Sequence, residues 1–336
     1  MSRSVLVVGP SWVGDMVMAD ALFQELRRAD ATVDVVAPGW SLPILERMPT
    51  VRQGFELKAA HGEFALAARR SLGHQLVANH YDQAIVLPRS WKAALVPWFA
   101  RVPVRTGFTG EMRFGLINDR RPFDTHQLDQ TVKRFVALGL AEGEPLPRDL
   151  AQPQLVPRAD ALPAVLRRLN LTGAGPTVAL LPGAEYGPAK CWPLDHYRAL
   201  AEALHADGTE VWVLGSAKDR AAGEQISAGG AARNLAGDTS LAEATDLLGA
   251  CAAAVSNDSG LMHVAAAVGC FVVAIYGSSS PSFTPPLTNR ANVLYRDLDC
   301  SPCFARECPL GHLDCLTGIT PTEVFGRLQA TLRLSS

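Results

Sequence analysis

The sequence has no long hydrophobic run. Its longest uninterrupted stretch of apolar residues and glycine, Val264 to Gly277, has 14 residues, whereas a membrane-spanning helix needs about 18. The first residues hold only the short run VLVV, far below the ~7 to 15 apolar residues of an export signal. The composition, 48% hydrophobic and 19% charged, is typical of a globular protein. We therefore expect a cytoplasmic protein.

Two nucleotide-binding signatures are also missing. The loop after the first apolar run reads GPSWVGD and lacks the G-x-G-x-x-G spacing of dinucleotide-binding domains. No D-x-D pair suited to Mg²⁺ follows a predicted strand. We therefore predict neither a dinucleotide cofactor nor a metal. Asp15 falls in the first turn of the helix after this loop, where the helix dipole alone would explain a carboxylate.

The seven cysteines do not indicate a disulfide framework. Their number is odd and no secretion signal is visible, so we predict reduced thiols. Four are grouped as Cys300, Cys303, Cys308 and Cys315, with His312 beside them. The first two have the C-x2-C spacing of a zinc-ligand pair, but the last two do not. A packed, reduced loop is therefore favoured, and a structural metal site is the alternative.

The charge is nearly balanced, with a formal net charge of -2. Residues 89 to 134 are the exception, because they contain nine basic and four acidic residues. Such a stretch indicates either an anionic partner for the first half of the chain or an ordinary solvated surface. We do not expect nucleic acid as a partner, since the stretch matches no nucleic-acid-binding module and the chain is slightly acidic.

Short apolar runs alternate with helical patterns along the chain, which predicts an α/β fold with parallel sheets. Prolines concentrate in residues 142 to 163 and predict a hinge between two domains. We place an α/β lobe in residues 1–157, a second in residues 158–320, and a C-terminal helix in residues 321–336, with a cleft between the lobes. The basic stretch Arg105 to Phe123 is predicted as a loop.

The stretch Asn257 to Gly277 is predicted to hold a helix followed by a buried strand. Free N–H groups and the positive end of the helix dipole can bind phosphate at such a helix start. Ser259 and Gly260 would permit the close approach, and the Asp258 carboxylate would accept hydrogen bonds from N–H groups or contact another part of the ligand. The alternative is a capped helix that carries a core histidine, His263.

The loop Pro182 to Pro193, which we call the lysine loop, follows a predicted strand of the second half. It contains one cation, Lys190, and one large ring, Trp192. A lysine at the carboxyl edge of a parallel sheet can neutralise a phosphate, and the alternative is an ordinary solvated lysine. Arg89 and Lys92 follow a strand of the first half in the same way.

Four segments together resemble the bacterial ADP-heptose:lipopolysaccharide heptosyltransferases: GPSWVGDMVMADAL, PGAEYGPAKCWP, SNDSGLMHVAAAVG and CSPCFARECPLGHLDCL. The resemblance covers nearly the whole chain. It implies an α/β fold of the GT-B type, in which two Rossmann-like lobes with parallel sheets face a central cleft. The first lobe would bind the acceptor and the second the nucleotide sugar.

The resemblance also implies roles for single residues. Asp15 would be the general base, Lys190 would contact the donor diphosphate, and Asp219 would contact the ribose. Cys191 replaces a basic residue, so one phosphate contact fewer is expected. The implied donor-binding set is Gly14, Gly183, Lys190, Trp192, Gly215, Asp219, Asp258, Ser259, Gly260 and His263.

The implied reaction is an inverting transfer of heptose from ADP-L-glycero-D-manno-heptose to the first heptose of the lipopolysaccharide inner core, without a cofactor. The lipid A-linked acceptor would bind Arg89, Lys92, Arg120 and Arg121, and the enzyme would contact the cytoplasmic face of the inner membrane peripherally. The alternatives are a member of the same family with another core acceptor, another GT-B nucleotide-sugar enzyme, and a nucleotide-sugar binder without turnover. The binder would not need Asp15.

Overall fold

The computed structural model of the chain describes residues 3–60, 62–173 and 175–335. The chain divides into two units, Met1–Gln154 and Leu155–Ser336. The division falls three residues before the boundary expected from the sequence, and the C-terminal helix is part of the second unit. Within the described ranges, no helix has both the length and the apolar character needed to cross a membrane.

The first unit is built on a six-stranded parallel sheet. Its strands are β1 (Arg3–Val8), β2 (Ala31–Ala37), β3 (Val51–Glu56), β4 (Gln83–Val86), β5 (Val104–Phe108) and β6 (Asp119–Arg121). They lie in the order β3-β2-β1-β4-β5-β6, which is the doubly wound order of Rossmann domains. The apolar side chains of β1 and β2 are almost completely buried, as expected for central strands that are covered on both faces.

Helices lie between and after these strands. They are α1 (Val13–Arg28), α2 (Leu42–Leu45), α3 (Leu66–Leu76), α4 (Leu95–Phe99) and α5 (Thr131–Gly139), with 3-10 turns at Gly39–Ser41, Val77–Asn79 and Trp91–Ala94. Helices α1 and α5 pack on each other. Their approach is close at Gly139, where an added Cβ would lie 2.4 Å from Leu22 Cδ1.

The second unit repeats this architecture. Its strands are β7 (Thr177–Leu181), β8 (Glu210–Val213), β9 (Arg233–Asn234), β10 (Ala253–Asn257), β11 (Phe271–Tyr276) and β12 (Ala291–Tyr295). The order is β12-β11-β10-β7-β8-β9 with parallel pairing throughout. This is the order of the first sheet read from the other edge, and the predicted pair of parallel-sheet α/β domains is therefore confirmed.

The helices of the second unit cover both faces of its sheet. They are α6 (Leu162–Leu169), α7 (Leu194–Ala206), α8 (Arg220–Ser227), α9 (Leu241–Ala250), α10 (Gly260–Ala267), α11 (Asp314–Thr317) and α12 (Pro321–Ser335), with 3-10 turns at Pro188–Lys190 and Ala217–Asp219. The capping box expected at the start of α9 is present, since the Glu243 N–H donates to Ser240 Oγ at 3.2 Å.

The loop prediction for Arg105 to Phe123 is wrong in part, because β5 and β6 lie within or across it. These strands are short and polar, so they lack the apolar run by which buried strands are recognised. Pairing with neighbours stabilises them instead. The Gln83 amide donates to Thr106 Oγ1 at 2.6 Å, and that hydroxyl donates to Asp119 Oδ2 at 2.7 Å, which links β4, β5 and β6.

Candidate active site

The predicted donor residues of the second unit gather at the carboxyl edge of its sheet. Strands β7, β8 and β10 are neighbours, and each is followed within two residues by a predicted site residue. These are Gly183 after β7, Gly215 after β8 and Asp258 after β10. The carboxyl ends of parallel strands meet at one edge, and open α/β sheets bind their ligands there.

Asn257, the last residue of β10, holds this edge together. Its side chain is fully buried. Its Oδ1 accepts hydrogen bonds from the Trp192 N–H at 2.9 Å and from the Tyr197 hydroxyl at 3.1 Å, and its Nδ2 donates to Pro182 O at 2.6 Å. One amide thus fixes both ends of the lysine loop against β10.

Lys190 and Asp258 form an ion pair at this edge. The distance from Lys190 Nζ to Asp258 Oδ2 is 2.5 Å, and the two side chains are only 17% and 6% exposed. Thr284 Oγ1 lies 3.4 Å from the other carboxylate oxygen. Lys190 is therefore not the solvated lysine of the alternative interpretation. The Asp258 carboxylate, which we expected to accept from N–H groups or to contact a ligand, accepts from Lys190 and Thr284.

Helix α10 begins directly after this pair. Ser259 occupies its N-cap position, yet among the described residues its hydroxyl makes no capping bond to the helix and lies 3.2 Å from Ser256 Oγ. The first N–H groups of α10 are thus not capped by the residue expected to cap them, which favours a ligand-binding helix start over the capped helix. His263 is buried in the first turn, and this burial lowers its pKa to about 4. It is therefore neutral at pH 7.

Asp219 lies against two of the predicted glycines. An added Cβ would come within 2.8 Å of the Asp219 side chain at both Gly183 and Gly215. The Asp219 carboxylate also accepts from the Ser216 N–H and hydroxyl, each at 2.8 Å, in a capping box. Burial, and next the charge of Asp219, raise the pKa of the Cys191 thiol, so Cys191 supplies no charge to this edge at neutral pH.

The structure corrects the expectation for Trp192. The resemblance placed Trp192 in the donor-binding set, but its ring is fully buried in the core. Its Nε1 donates to Ile319 O at 2.9 Å, and its edge packs on His196 and Tyr197. The side chain therefore anchors the lysine loop to the core.

The cysteines lie beside the lysine loop. Residues 300–315, which we call the cysteine loop, line one small cavity with Cys300, Cys303, Cys308, Cys315 and His312. Within the described ranges, no three His, Cys, Asp or Glu side chains are grouped to hold a metal ion. The sequence prediction overlooked one D-x-D pair, Asp297 and Asp299, which follows the unpredicted edge strand β12 and is exposed.

In the first unit, Gly14 and Asp15 lie in the first turn of α1, after β1. Gly14 is buried and Asp15 is half-buried. Gly14, which we assigned to donor binding, thus lies in the unit expected to bind the acceptor.

The four basic residues proposed for the acceptor are not equivalent. Arg89 and Arg120 are exposed, and they stack on Phe123 and Phe114 at 4.2 and 5.5 Å from the ring centroids. Arg121 is bound by both oxygens of Asp119 at 2.9 and 3.1 Å.

Lys92 is also occupied, since its Nζ donates to Gly62 O at 2.5 Å. Arg121 is thus neutralised by a carboxylate, whereas Lys92 keeps its positive charge because its partner is a neutral carbonyl. The expected role of all four residues in acceptor binding stays a prediction.

Sequence reasoning missed three polar groups at the second sheet's edge. Ser278 and Ser279 follow β11, and their hydroxyls are buried without a hydrogen-bond partner among the described residues. Thr284, which contacts Asp258, lies in the same segment. The signal was present in the sequence, because GSSSPSFTPP directly follows the predicted apolar strand.

Comparison with known proteins shows the family to which the chain belongs. The model of glycosyltransferase family 9 (heptosyltransferase) matches residues 69–314. Lipopolysaccharide heptosyltransferase 2 of Escherichia coli strain K12 is 43% identical over 341 residues, which cover 98% of both chains, and the Salmonella typhimurium protein of the same name is also 43% identical over 98% of both chains. The chain belongs to glycosyltransferase family 9.

A solved structure supports the assignment to glycosyltransferase family 9. The structure of E. coli ADP-heptose lps heptosyltransferase II matches with a TM-score of 0.88 at 42% identity, over 99% of both chains. The resemblance inferred from four segments, the GT-B fold class and the enzyme class are thereby confirmed. The roles of single residues in this family 9 chain stay predictions.

Proposed function

We propose that the chain transfers a heptose from ADP-L-glycero-D-manno-heptose to the first heptose of the lipopolysaccharide inner core, with inversion at the anomeric carbon. The observation that carries this proposal is the 43% identity, over 98% of both chains, to proteins named lipopolysaccharide heptosyltransferase 2. The likeness spans both units, and therefore the residues proposed for donor and acceptor alike.

The donor diphosphate is proposed to bind at the start of α10, beside Lys190. Among the described residues no side chain caps the first N–H groups of this helix, and N–H groups at a helix start, with about half a positive charge from the helix dipole, favour a bound anion. Lys190 is held within 2.5 Å of Asp258, so its ammonium is positioned before the donor arrives. A preorganised cation stabilises charge that develops on the leaving group without needing to reorient during the reaction.

Asp15 is proposed as the general base. The acceptor hydroxyl attacks the anomeric carbon of the heptose while its proton passes to the Asp15 carboxylate. The bond from that carbon to the diphosphate oxygen breaks, and its electron pair leaves with ADP. A single displacement of this kind inverts the anomeric centre.

The acceptor is proposed to bind the first unit through Arg89 and Arg120, whose guanidinium groups are exposed beside aromatic rings. Inner-core lipopolysaccharide is anionic, so basic residues would attract it. Because this acceptor is lipid-linked, we also propose that the protein works at the cytoplasmic face of the inner membrane as a peripheral protein.

Arg89 and Arg120 provide the test of acceptor binding. Replacing both arginines by Gln should raise the acceptor KM and leave the donor KM unchanged. A raised donor KM with an unchanged acceptor KM would show that the first unit binds the donor instead.

The proposal is tested by assaying transfer from ADP-heptose to a defined acceptor that carries one inner-core heptose. The matched control is the same acceptor without heptose. Transfer to the first acceptor alone is the expected outcome. Transfer to the control alone would assign the enzyme to another core position, and ADP-heptose binding without transfer to either would leave only nucleotide-sugar binding.

A further inference from the structure

The cysteine loop is in direct contact with the lysine loop, and Arg306 lies where they meet. Arg306 O accepts a hydrogen bond from the Ala189 N–H at 3.0 Å. An added Cβ at Gly187 would lie 2.5 Å from the same oxygen. The Tyr186 hydroxyl donates to Phe304 O at 2.7 Å. The backbone of Arg306 is therefore fixed relative to the loop that carries Lys190.

The side chains of Arg306 and Lys190 meet at the same aromatic ring. Arg306 Cζ lies 5.3 Å from the centroid of Tyr186, and Lys190 Nζ lies 5.2 Å from it. A cation within about 6 Å of an aromatic ring is attracted by the ring's quadrupole. Tyr186 therefore holds two cations at one side of the proposed diphosphate site.

The two cations differ in what neutralises them. Lys190 is paired with the buried Asp258 carboxylate, so this pair carries no net charge. Arg306 is exposed, and among the described residues no carboxylate lies within ion-pair distance of it. Arg306 is thus the cation of this region that retains its full charge.

We propose that Arg306 binds the diphosphate of the nucleotide sugar and is a second catalytic cation beside Lys190; this deepens the proposed function and rests on it. The leaving ADP gains negative charge as the bond to the heptose breaks. Because Asp258 already offsets part of the charge of Lys190, a second cation without a carboxylate partner adds to the stabilisation that Lys190 provides. A guanidinium can donate two parallel hydrogen bonds to phosphate oxygens. Its contact strengthens as that charge develops.

The test compares ADP with adenosine, which lacks the diphosphate, as ligands of the full chain. Arg306→Gln should weaken ADP binding about 10- to 100-fold, the range of a charge-assisted hydrogen bond, and leave adenosine binding unchanged. Arg306→Lys should give an intermediate loss because it keeps the charge but not the two-pronged geometry. The matched control is Arg167→Gln, which removes an exposed arginine of α6 and should change neither ligand.

Transfer kinetics complete the test. Arg306→Gln should lower kcat/KM for the donor by at least the factor lost in ADP affinity, with an unchanged acceptor KM and melting temperature. Equal losses for ADP and adenosine, unchanged ADP affinity, or a change confined to the acceptor KM would each overturn the proposal. The ADP and adenosine contrast does not depend on the acceptor, so a wild-type protein that transfers no heptose would refute the proposed function separately.

Discussion

Replacing Lys190 by Met tests the site most directly. Methionine keeps most of the apolar stem and removes the ammonium that lies 2.5 Å from Asp258 Oδ2. If Lys190 stabilises the departing diphosphate, the loss should resemble that of an oxyanion-hole donor, about 2 to 4 kcal/mol in transition-state stabilisation. This corresponds to a fall in kcat/KM for the donor of about 30- to 1,000-fold.

The same replacement should also lower stability, because Asp258 loses its partner. The Asp258 side chain is 6% exposed, and a buried charged group left without its partner costs about 1 to 3 kcal/mol or more. In a domain of 150 to 250 residues, each kcal/mol shifts the melting temperature by roughly 2 to 4 °C. We therefore expect a fall of several degrees, which must be separated from the loss of activity.

A second replacement separates the two effects. Lys190→Met combined with Asp258→Asn removes the unpaired charge, so the melting temperature should recover while activity should not. The control is Lys218→Met, which removes an exposed lysine paired with Glu185 on the same unit and should leave kcat/KM within a factor of two. Retention of more than a tenth of wild-type kcat/KM by Lys190→Met, with normal ADP affinity, would refute the assignment.

Three further predictions concern the base, a buried histidine and the cysteines. Asp15→Asn should lower kcat by about 10² to 10⁴ with little change in melting temperature or ADP-heptose binding, and a variant that keeps more than a tenth of the rate would exclude Asp15 as the base. His263 has a pKa of about 4 because of its burial, against about 6.5 when unfolded, so the unfolded state takes up its proton first as the pH falls. Its contribution to stability, up to roughly 3 kcal/mol, should be present above pH 6.5 and lost between about pH 6.5 and 4; urea unfolding of wild type and His263→Gln should show a steeper loss in wild type, and parallel losses would contradict this. Chelation should leave the melting temperature unchanged, and elemental analysis that finds one zinc per chain would show a structural metal instead.

The sequence predicted the parallel α/β organisation because its central strands are apolar and regularly spaced. It missed β12, and with it the position of Asp297 and Asp299, because the edge strand Ala291–Tyr295 is only partly buried and has no continuous apolar run. Edge strands depend on pairing with a neighbour more than on burial. Their detection therefore requires the register of the adjacent strand.

The sequence also did not predict which charged residues form ion pairs with each other. Lys190 and Asp258 are 68 residues apart, and only the adjacency of β7 and β10 brings them together. By contrast, Arg121 pairs with Asp119 two residues away along the same strand, at the alternation that places both side chains on one face. The sequence would have predicted that pairing if β6, which we expected to be part of a loop, had been recognised as a strand.

Asn257 explains how a core residue can determine the geometry of the proposed donor site. Its amide binds Pro182 and Trp192, the residues that bracket the part of the lysine loop holding Lys190. The indole of Trp192 is itself locked in the core by its bond to Ile319. Both attachments are buried, so water does not compete for them and the loop has little freedom at either end. The position of the Lys190 ammonium relative to α10 is therefore set by buried amide and indole contacts before any ligand binds, which is the arrangement that electrostatic stabilisation of a leaving group requires.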